Sequence, residues 1–373
     1  MSVDDDIPLS DCVPGALHPV STGMYYGHKA EIQNLEESLR SGRFHHGWIF
    51  SGPLGIGKAT LAYHLARVLL GQSEDEFGEG FDLLTRSEEL RGDKTGRLIA
   101  QFAHPDMRVM RRAYDQKTKK FFRFIRIDEM RALKEVLHTT PSMGHHRVVL
   151  IDKAEDMNEA SGNALLKVLE EPPLNTTFIL ITNSLGQIPI TIRSRCRSLK
   201  FNELELDDFE KAIRQQFQSQ NMDLPSDVNW QDLMHLSGGS VRTGFELIIG
   251  SGLKFYQELY KILDHLPGLD QRNIDVFIDG ILKDKSGQDY KGGVQMLSDL
   301  IYRLIKGKIM DFPLSAGEKH LSDKLIAPHA LDQWLALWES LQARSLDVDA
   351  LNLDKKTYIL QSFFALRDLV RQP

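Results

Sequence analysis

Gly52-Pro53-Leu54-Gly55-Ile56-Gly57-Lys58 constrains the fold of this chain more than any other segment. It follows a short apolar burst, Trp48-Ile49-Phe50. It precedes a helical pattern from Thr60 to Leu70, with Leu61, Leu65, Val68 and Leu69 on one side. Strand, glycine-rich turn and helix in that order are the context of a phosphate-binding loop. Gly52, Gly55 and Gly57 let the backbone curl until its N–H groups face phosphate oxygens, and the helix N-terminus adds partial positive charge. Lys58 would reach the outer phosphates. The next position normally carries Ser or Thr as a ligand for Mg²⁺. Here it is Ala59, whose methyl group cannot coordinate a metal. Thr60 is adjacent, but one residue along a helix turns it by about 100°, so it is expected to point elsewhere. Nucleotide binding that is weakened or independent of metal stays open.

Two further bursts, Val148-Val149-Leu150-Ile151 and Phe178-Ile179-Leu180-Ile181, have the length and composition of strands buried on both faces. A helical pattern from Met157 to Glu170 lies between them. Alternating strand and helix signals predict an α/β P-loop core with a parallel sheet. Asp152 ends the second burst, where an acid would hold Mg²⁺ through water. Active ATPases of this general type usually follow it with a glutamate that polarises the attacking water. This chain has Lys153, which cannot serve as that base at neutral pH without a strongly lowered pKa. Glu155 and Asp156 read as a solvated helix start. Beyond Asn202 the patterns are helical only, with Ser240 where a helix N-cap would be useful. The class changes predict three regions: a core over 1–201, a small helical region over 202–252 and an all-α domain over 253–373.

The 373 residues are enough for two or three domains at roughly 100–200 each. Hydrophobic residues at 42% and charged ones at 26% exclude a mainly disordered chain. No apolar run has the length of a membrane span. Met1-Ser2-Val3-Asp4-Asp5-Asp6 is acidic where a secretory signal would be basic, so a cytoplasmic protein is expected. Cys12 and Cys196 cannot build a disulfide framework or a four-cysteine zinc site. A net charge of −7 excludes a strongly basic nucleic-acid binder, so contact with DNA must come from a local patch or through partners.

Several strings together resemble a family. Tyr26-Gly27-His28, His46 through Pro53, His104-Pro105-Asp106, Asn163-Ala164-Leu165-Leu166-Lys167-Val168-Leu169-Glu170-Glu171-Pro172-Pro173 and Thr191-Ile192-Arg193-Ser194-Arg195-Cys196 are similar to the AAA+ clamp-loader subunits of bacterial DNA polymerase III, and within them to the delta-prime branch. The strong segments cover about 20–65 and 104–200, and Asn352-Leu353-Asp354-Lys355 resembles part of the family's C-terminal collar. The resemblance implies an AAA+ module, a helical lid and a collar that joins five subunits into an open hetero-oligomeric ring, which loads the sliding clamp on primer–template DNA. It implies no membrane. It makes Arg195 an arginine finger offered to a neighbouring subunit's ATP. Thr182-Asn183 becomes the first sensor of the γ-phosphate and Arg242 the second, in a nucleotide site that is weak or vestigial. Degenerate ATPase motifs such as Ala59 and Lys153 are expected of the stationary, ATPase-inactive subunit. The alternative is an active AAA+ motor subunit, which Lys58, Asp152 and Arg242 keep open. For Arg195 the bland reading is a structural ion pair, and for Arg193 and Arg197 it is surface charge.

Many relatives carry four zinc-binding cysteines between the P-loop helix and the His-Pro-Asp string. The corresponding stretch here, about Gln72 to Ala103, has none, so no zinc and a partly mobile insertion are expected. His45-His46 and His145-His146 are expected to point to opposite faces and share no metal. Arg108 to Arg126 interleaves Arg111, Arg112, Lys117, Lys119, Lys120 and Arg123 with Tyr114, Phe121, Phe122 and Phe124. It reads as a solvated hairpin with its tip at 115–118 and its aromatics in the core; contact with DNA phosphates or an acidic partner is the other reading. Trp334 and Trp338, one helical turn apart, read as core, with an interface as the alternative.

Overall fold

The computed structural model describes residues 8–371 except 14, 72–76, 138, 144, 145, 284–287, 311, 327–330 and 352. The acidic N-terminal residues 1–7, His145, Asn352 and the Glu74-Asp75-Glu76 run therefore lie outside the described residues. The chain divides into two compact units, one of residues 1–227 and 238–243, the other of 228–237 and 244–373.

In the first unit α1 (Lys29–Arg40) precedes β1 (Gly47–Ser51) and α2 (Lys58–Gly71), and α3 (Leu83–Arg91) and α4 (Lys94–Ala100) follow. Next come β2 (Met107–Met110), the short pair β3 (Tyr114–Asp115) and β4 (Lys120–Phe121), and α5 (Ile127–Leu137). The unit continues through β5 (Arg147–Ile151), α6 (Glu159–Glu170), β6 (Thr176–Thr182), α7 (Ile190–Arg193), β7 (Arg197–Lys200) and α8 (Leu206–Ser219). Five strands form one sheet in the order β2-β5-β6-β1-β7, and every pairing in it is parallel. β1 lies between β6 and β7, with Trp48 opposite Ile179 on one side and Arg197 on the other.

Strand periodicity sends alternate side chains to opposite faces, and each face has its own helices. Trp48 and Phe50 meet Leu35 and Leu39 of α1 and Leu61 and Leu65 of α2. Ile49, Val149 and Phe178 meet Met130 and Leu133 of α5 and Leu165 and Val168 of α6. β1, β5 and β6 are buried along their whole length, as their unbroken apolar runs require. Local chemistry sets the helix starts. Asn158 caps α6 by accepting from the Ser161 N–H at 2.9 Å.

The 77–103 stretch is not a structureless insertion. Leu83 and Leu90 of α3 and Ile99 of α4 are buried, and the two helices pack on α2. The basic stretch contains a sheet strand, β2, as well as the expected hairpin, whose turn falls at 116–119. Phe124 is 40% exposed, so the aromatics there are not all core. His45 and His46 precede β1 with rings stacked 4.4 Å apart, not turned to opposite faces.

The second unit holds α9 (Trp230–Ser237), α10 (Val241–Ile249), α11 (Gly252–Asp264), α12 (Gln271–Leu282), α13 (Gln288–Ile309), α14 (Ala316–Leu321), α15 (Leu331–Leu351) and α16 (Lys355–Arg371), except that α10 begins in the first unit. Its core gathers Leu259, Ile278, Leu300, Leu304, Trp334 and Phe363, all essentially inaccessible. Trp338 is half-buried, donates from Nε1 to the Ser298 carbonyl at 3.1 Å and stacks on Tyr302. Phe364 of α16 is 39% exposed. No described helix is long and apolar enough to cross a membrane.

Candidate functional site

The glycine loop runs from the carboxyl end of β1 to the amino end of α2, where a parallel sheet opens its ligand crevice. Gly55 has φ 76°, and a Cβ there would lie 2.4 Å from Ser240 Oγ and 2.5 Å from Arg242 Cβ. A Cβ on Gly52 would lie 2.3 Å from the Phe201 carbonyl oxygen. The loop is thus held between β7's exit and the 238–243 segment. The Arg242 N–H donates to the Gly55 carbonyl at 3.3 Å, so Arg242 lies beside the loop. Ser240 accepts from the Thr243 N–H at 3.1 Å, the cap read from sequence. Gly57 faces the ring of Tyr25.

Lys58 is buried at the start of α2. Its Nζ donates to the carbonyl oxygens of Gly52 at 2.7 Å and of Pro53, and to Asn183 Oδ1 at 3.0 Å. Three acceptors match the three donors of an ammonium group. Burial lowers its pKa to about 8, against the pull of Asp152 and Glu155. Asn183 is held in turn by Glu155, whose Oε1 accepts from the Asn183 N–H and from Nδ2, both at 3.0 Å. Lys58, Asn183 and Glu155 therefore form one chain of hydrogen bonds across the ends of β1, β5 and β6.

Asp152, at the end of β5, is 9% exposed, and its pKa rises to about 6. Burial is the main cause; Asp11 and Glu155 add to it, while Lys153 and Lys58 oppose it. Lys153 takes a left-handed conformation with φ 53°, so the chain turns away just where a base would follow the acid. Ala59 packs against the apolar core and Thr60 is half-buried on α2. Among the described residues no three or more His, Cys, Asp or Glu side chains gather into a metal cluster.

Arg195 lies elsewhere. It precedes β7, and its carbonyl oxygen is 3.1 Å from the Cβ position of Gly47, the first residue of β1. The glycine loop begins after the last residue of β1, about 13 Å away at ~3.3 Å per residue. Arg195 and the loop thus lie at opposite ends of β1. Its side chain is 36% exposed. It pairs with Glu170 at 2.9 Å and donates to the Thr191 carbonyl at 2.9 Å.

Of the residues singled out in the sequence, the structure brings together Gly52, Gly55, Gly57, Lys58, Asp152, Asn183 and Arg242, and keeps Arg195 apart. Glu155 is no solvated helix start; it braces Asn183 from a 3₁₀ turn over Ala154–Asp156. Asp156 is also engaged, with Arg112 at 3.0 Å. The signal was the spacing Asp152-x-x-Glu155, which carries no meaning until β6 is set beside β5.

Residues 27–205 match the family described as DNA polymerase III, delta subunit. The chain is 36% identical over 213 residues to the DNA polymerase III subunit delta-prime of Pseudomonas aeruginosa, covering 56% of this chain and 57% of that protein. It is 32% identical over 196 residues to the DNA polymerase III subunit gamma of Buchnera aphidicola, covering 52% and 49%. It thus spans about half the length of these relatives. A DNA polymerase III gamma-subunit-related protein of Thermotoga maritima superposes over 90% of this chain and 99% of its own, with 18% identity and a TM-score of 0.40. Over 27–205, just under half of its length, the chain is thus similar to subunits of DNA polymerase III, with a delta-prime and a gamma subunit among its relatives.

Proposed function

We propose that the chain is a stationary, ATPase-inactive clamp-loader subunit of the delta-prime kind, which presents Arg195 to the ATP of a neighbouring subunit. The observation that carries this reading is the separation of Arg195 from its own glycine loop by the length of β1. A guanidinium at that end of β1 cannot serve the loop at the other end, whereas a second subunit docked there would meet it. The ion pair with Glu170 does not oppose this. Both partners are partly exposed, and such pairs are worth about 0–1 kcal/mol, so a triphosphate can displace the carboxylate. In the transition state a guanidinium neutralises charge on the transferred phosphoryl group.

The loop supports phosphate binding: glycines at the carboxyl end of β1, Lys58 at its floor and Arg242 at its rim. It does not support an ordinary metal shell. Ala59 offers no ligand, although Asp152, with a pKa of about 6, is largely ionised at neutral pH. ATP bound here would be held weakly by Gly52, Gly55, Gly57 and Lys58, with Asn183 and Arg242 nearby and Thr60 at the margin. On the same reading residues 202–252 are a lid and 253–373 a collar, and the assembly is a five-subunit ring in the cytoplasm that loads the clamp on primed DNA.

One observation favours a second reading, an active motor subunit: Glu155 brings a carboxylate into the Lys58–Asn183 network. Steady-state ATP hydrolysis by the purified chain with Mg²⁺, beside Lys58→Ala, separates the two. The stationary reading expects equal rates at background. Hydrolysis by the parent chain that Lys58→Ala abolishes would establish the motor.

A further inference from the structure

Between Gln116 and Arg126 the chain carries Lys117, Lys119, Lys120, Arg123 and Arg126 and no acid, although the whole protein has a net charge of −7. These residues form the tip and returning arm of the β3–β4 hairpin and the approach to α5. Lys117, Lys119, Lys120 and Arg123 are all exposed. The nearby acids are spent on other partners. Asp115 accepts from the Lys117 N–H at 2.9 Å and from Thr118 Oγ1 at 2.8 Å, which closes the turn. Asp128 pairs with Arg126 at 2.9 Å and lies 3.6 Å from Arg131. Among the described residues no carboxylate pairs with Lys117, Lys119, Lys120 or Arg123. Phe124 stands beside this row, 40% exposed, with the Arg123 guanidinium 5.1 Å from its ring centre. Tyr114 and Phe121 pack edge to face at the base of the hairpin and stiffen it.

We infer that this hairpin is a direct binding site for single-stranded nucleic acid. Four cations free of carboxylate partners, Lys117 and Lys119 in the turn and Lys120 and Arg123 on the returning arm, can meet neighbouring phosphates. An exposed aromatic flanked by arginine offers a stacking platform for an unpaired base. An acidic protein face would use the same charges but has no call on Phe124, and a duplex keeps its bases out of reach. The site needs only this chain; it stands whether or not Arg195 acts in trans.

The test uses fluorescence anisotropy with the full chain and a thymidine oligomer of about 20 nucleotides. A uridine oligomer and a duplex of the same length, and poly-glutamate, serve as competing ligands. The single strand should bind more tightly than the duplex or poly-glutamate, and the better of the two oligomers identifies the sugar. Four released counterion contacts predict that about a fourfold rise in salt weakens binding by about 50-fold. The variant Lys117→Gln/Lys119→Gln/Lys120→Gln/Arg123→Gln should lose most of that salt dependence. Phe124→Ala alone should weaken strand binding about tenfold while leaving the salt dependence intact. All five side chains are exposed, so the thermal transition should not move, and circular dichroism checks this. Unchanged strand affinity in the fourfold variant overturns the inference. So does binding to poly-glutamate or duplex as tight as to the strand, or a Phe124→Ala variant indistinguishable from the parent.

Discussion

At Lys58 and Asp152 burial acts against both charges at once. The Lys58 pKa falls to about 8 and that of Asp152 rises to about 6, each mainly through desolvation. For Asp152 the folded chain holds its proton more tightly than the unfolded chain does. Its contribution to stability is therefore complete below about pH 4 and is lost as pH rises through about 6. A shift of about two units corresponds to ~3 kcal/mol at most. Asp152→Asn should flatten the stability profile between about pH 4 and 6 and stabilise the chain at neutral pH by ~1–3 kcal/mol, read by urea unfolding across pH. Lys58 has the opposite slope: the folded chain gives up its proton earlier, so stability from this group rises between about pH 8 and 10.5. At Gly55 the constraint is steric. Gly55→Ala would put a methyl against Ser240 and Arg242 at a φ of 76°, and should cost ~1–3 kcal/mol or more in the same measurement.

At the scale of elements, legibility followed locality. The loop after β1, the helix after it and the Ser240 cap of α10 depend on residues within a few positions, and the sequence carried them. β7 did not announce itself. It is an edge strand, Arg197-Ser198-Leu199-Lys200, with one buried residue, so it has no apolar burst. β2 was hidden inside a basic stretch for the same reason, since only Met107 and Met110 are buried. Glu155 and Asn183 are 28 residues apart, and only the β5–β6 pairing brings them together. The Glu318 network was also out of reach of any local pattern. This inaccessible carboxylate of α14 accepts from Arg303 of α13 at 2.9 Å, pairs with His235 of α9 at 2.5 Å and closes the capping box with Ser315. Glu318→Ala would leave Arg303 without its carboxylate partner and should cost ~3–5 kcal/mol in the helical unit. Calorimetry would test this, and a change under ~1 kcal/mol would mean that water replaces the carboxylate.

Over the whole molecule, the two compact units have separate apolar cores, one built on the parallel sheet and one on α11–α16. Heating should therefore give two transitions. Phe277→Ala, in the second core, should lower one of them through a loss of ~3–5 kcal/mol and leave the other in place. A single shifted transition would show that the units unfold as one. The central claim concerns which end of the sheet's strands does chemistry. The most direct measurement is ATP hydrolysis by the reconstituted clamp-loader assembly carrying either Arg195→Ala or Lys58→Ala in this chain. The account predicts that Arg195→Ala lowers the rate at the neighbouring site by ~10³-fold or more, with the fold intact, while Lys58→Ala leaves the rate unchanged. Full activity with Arg195→Ala and a loss with Lys58→Ala would contradict it, because the working site would then be this chain's own loop.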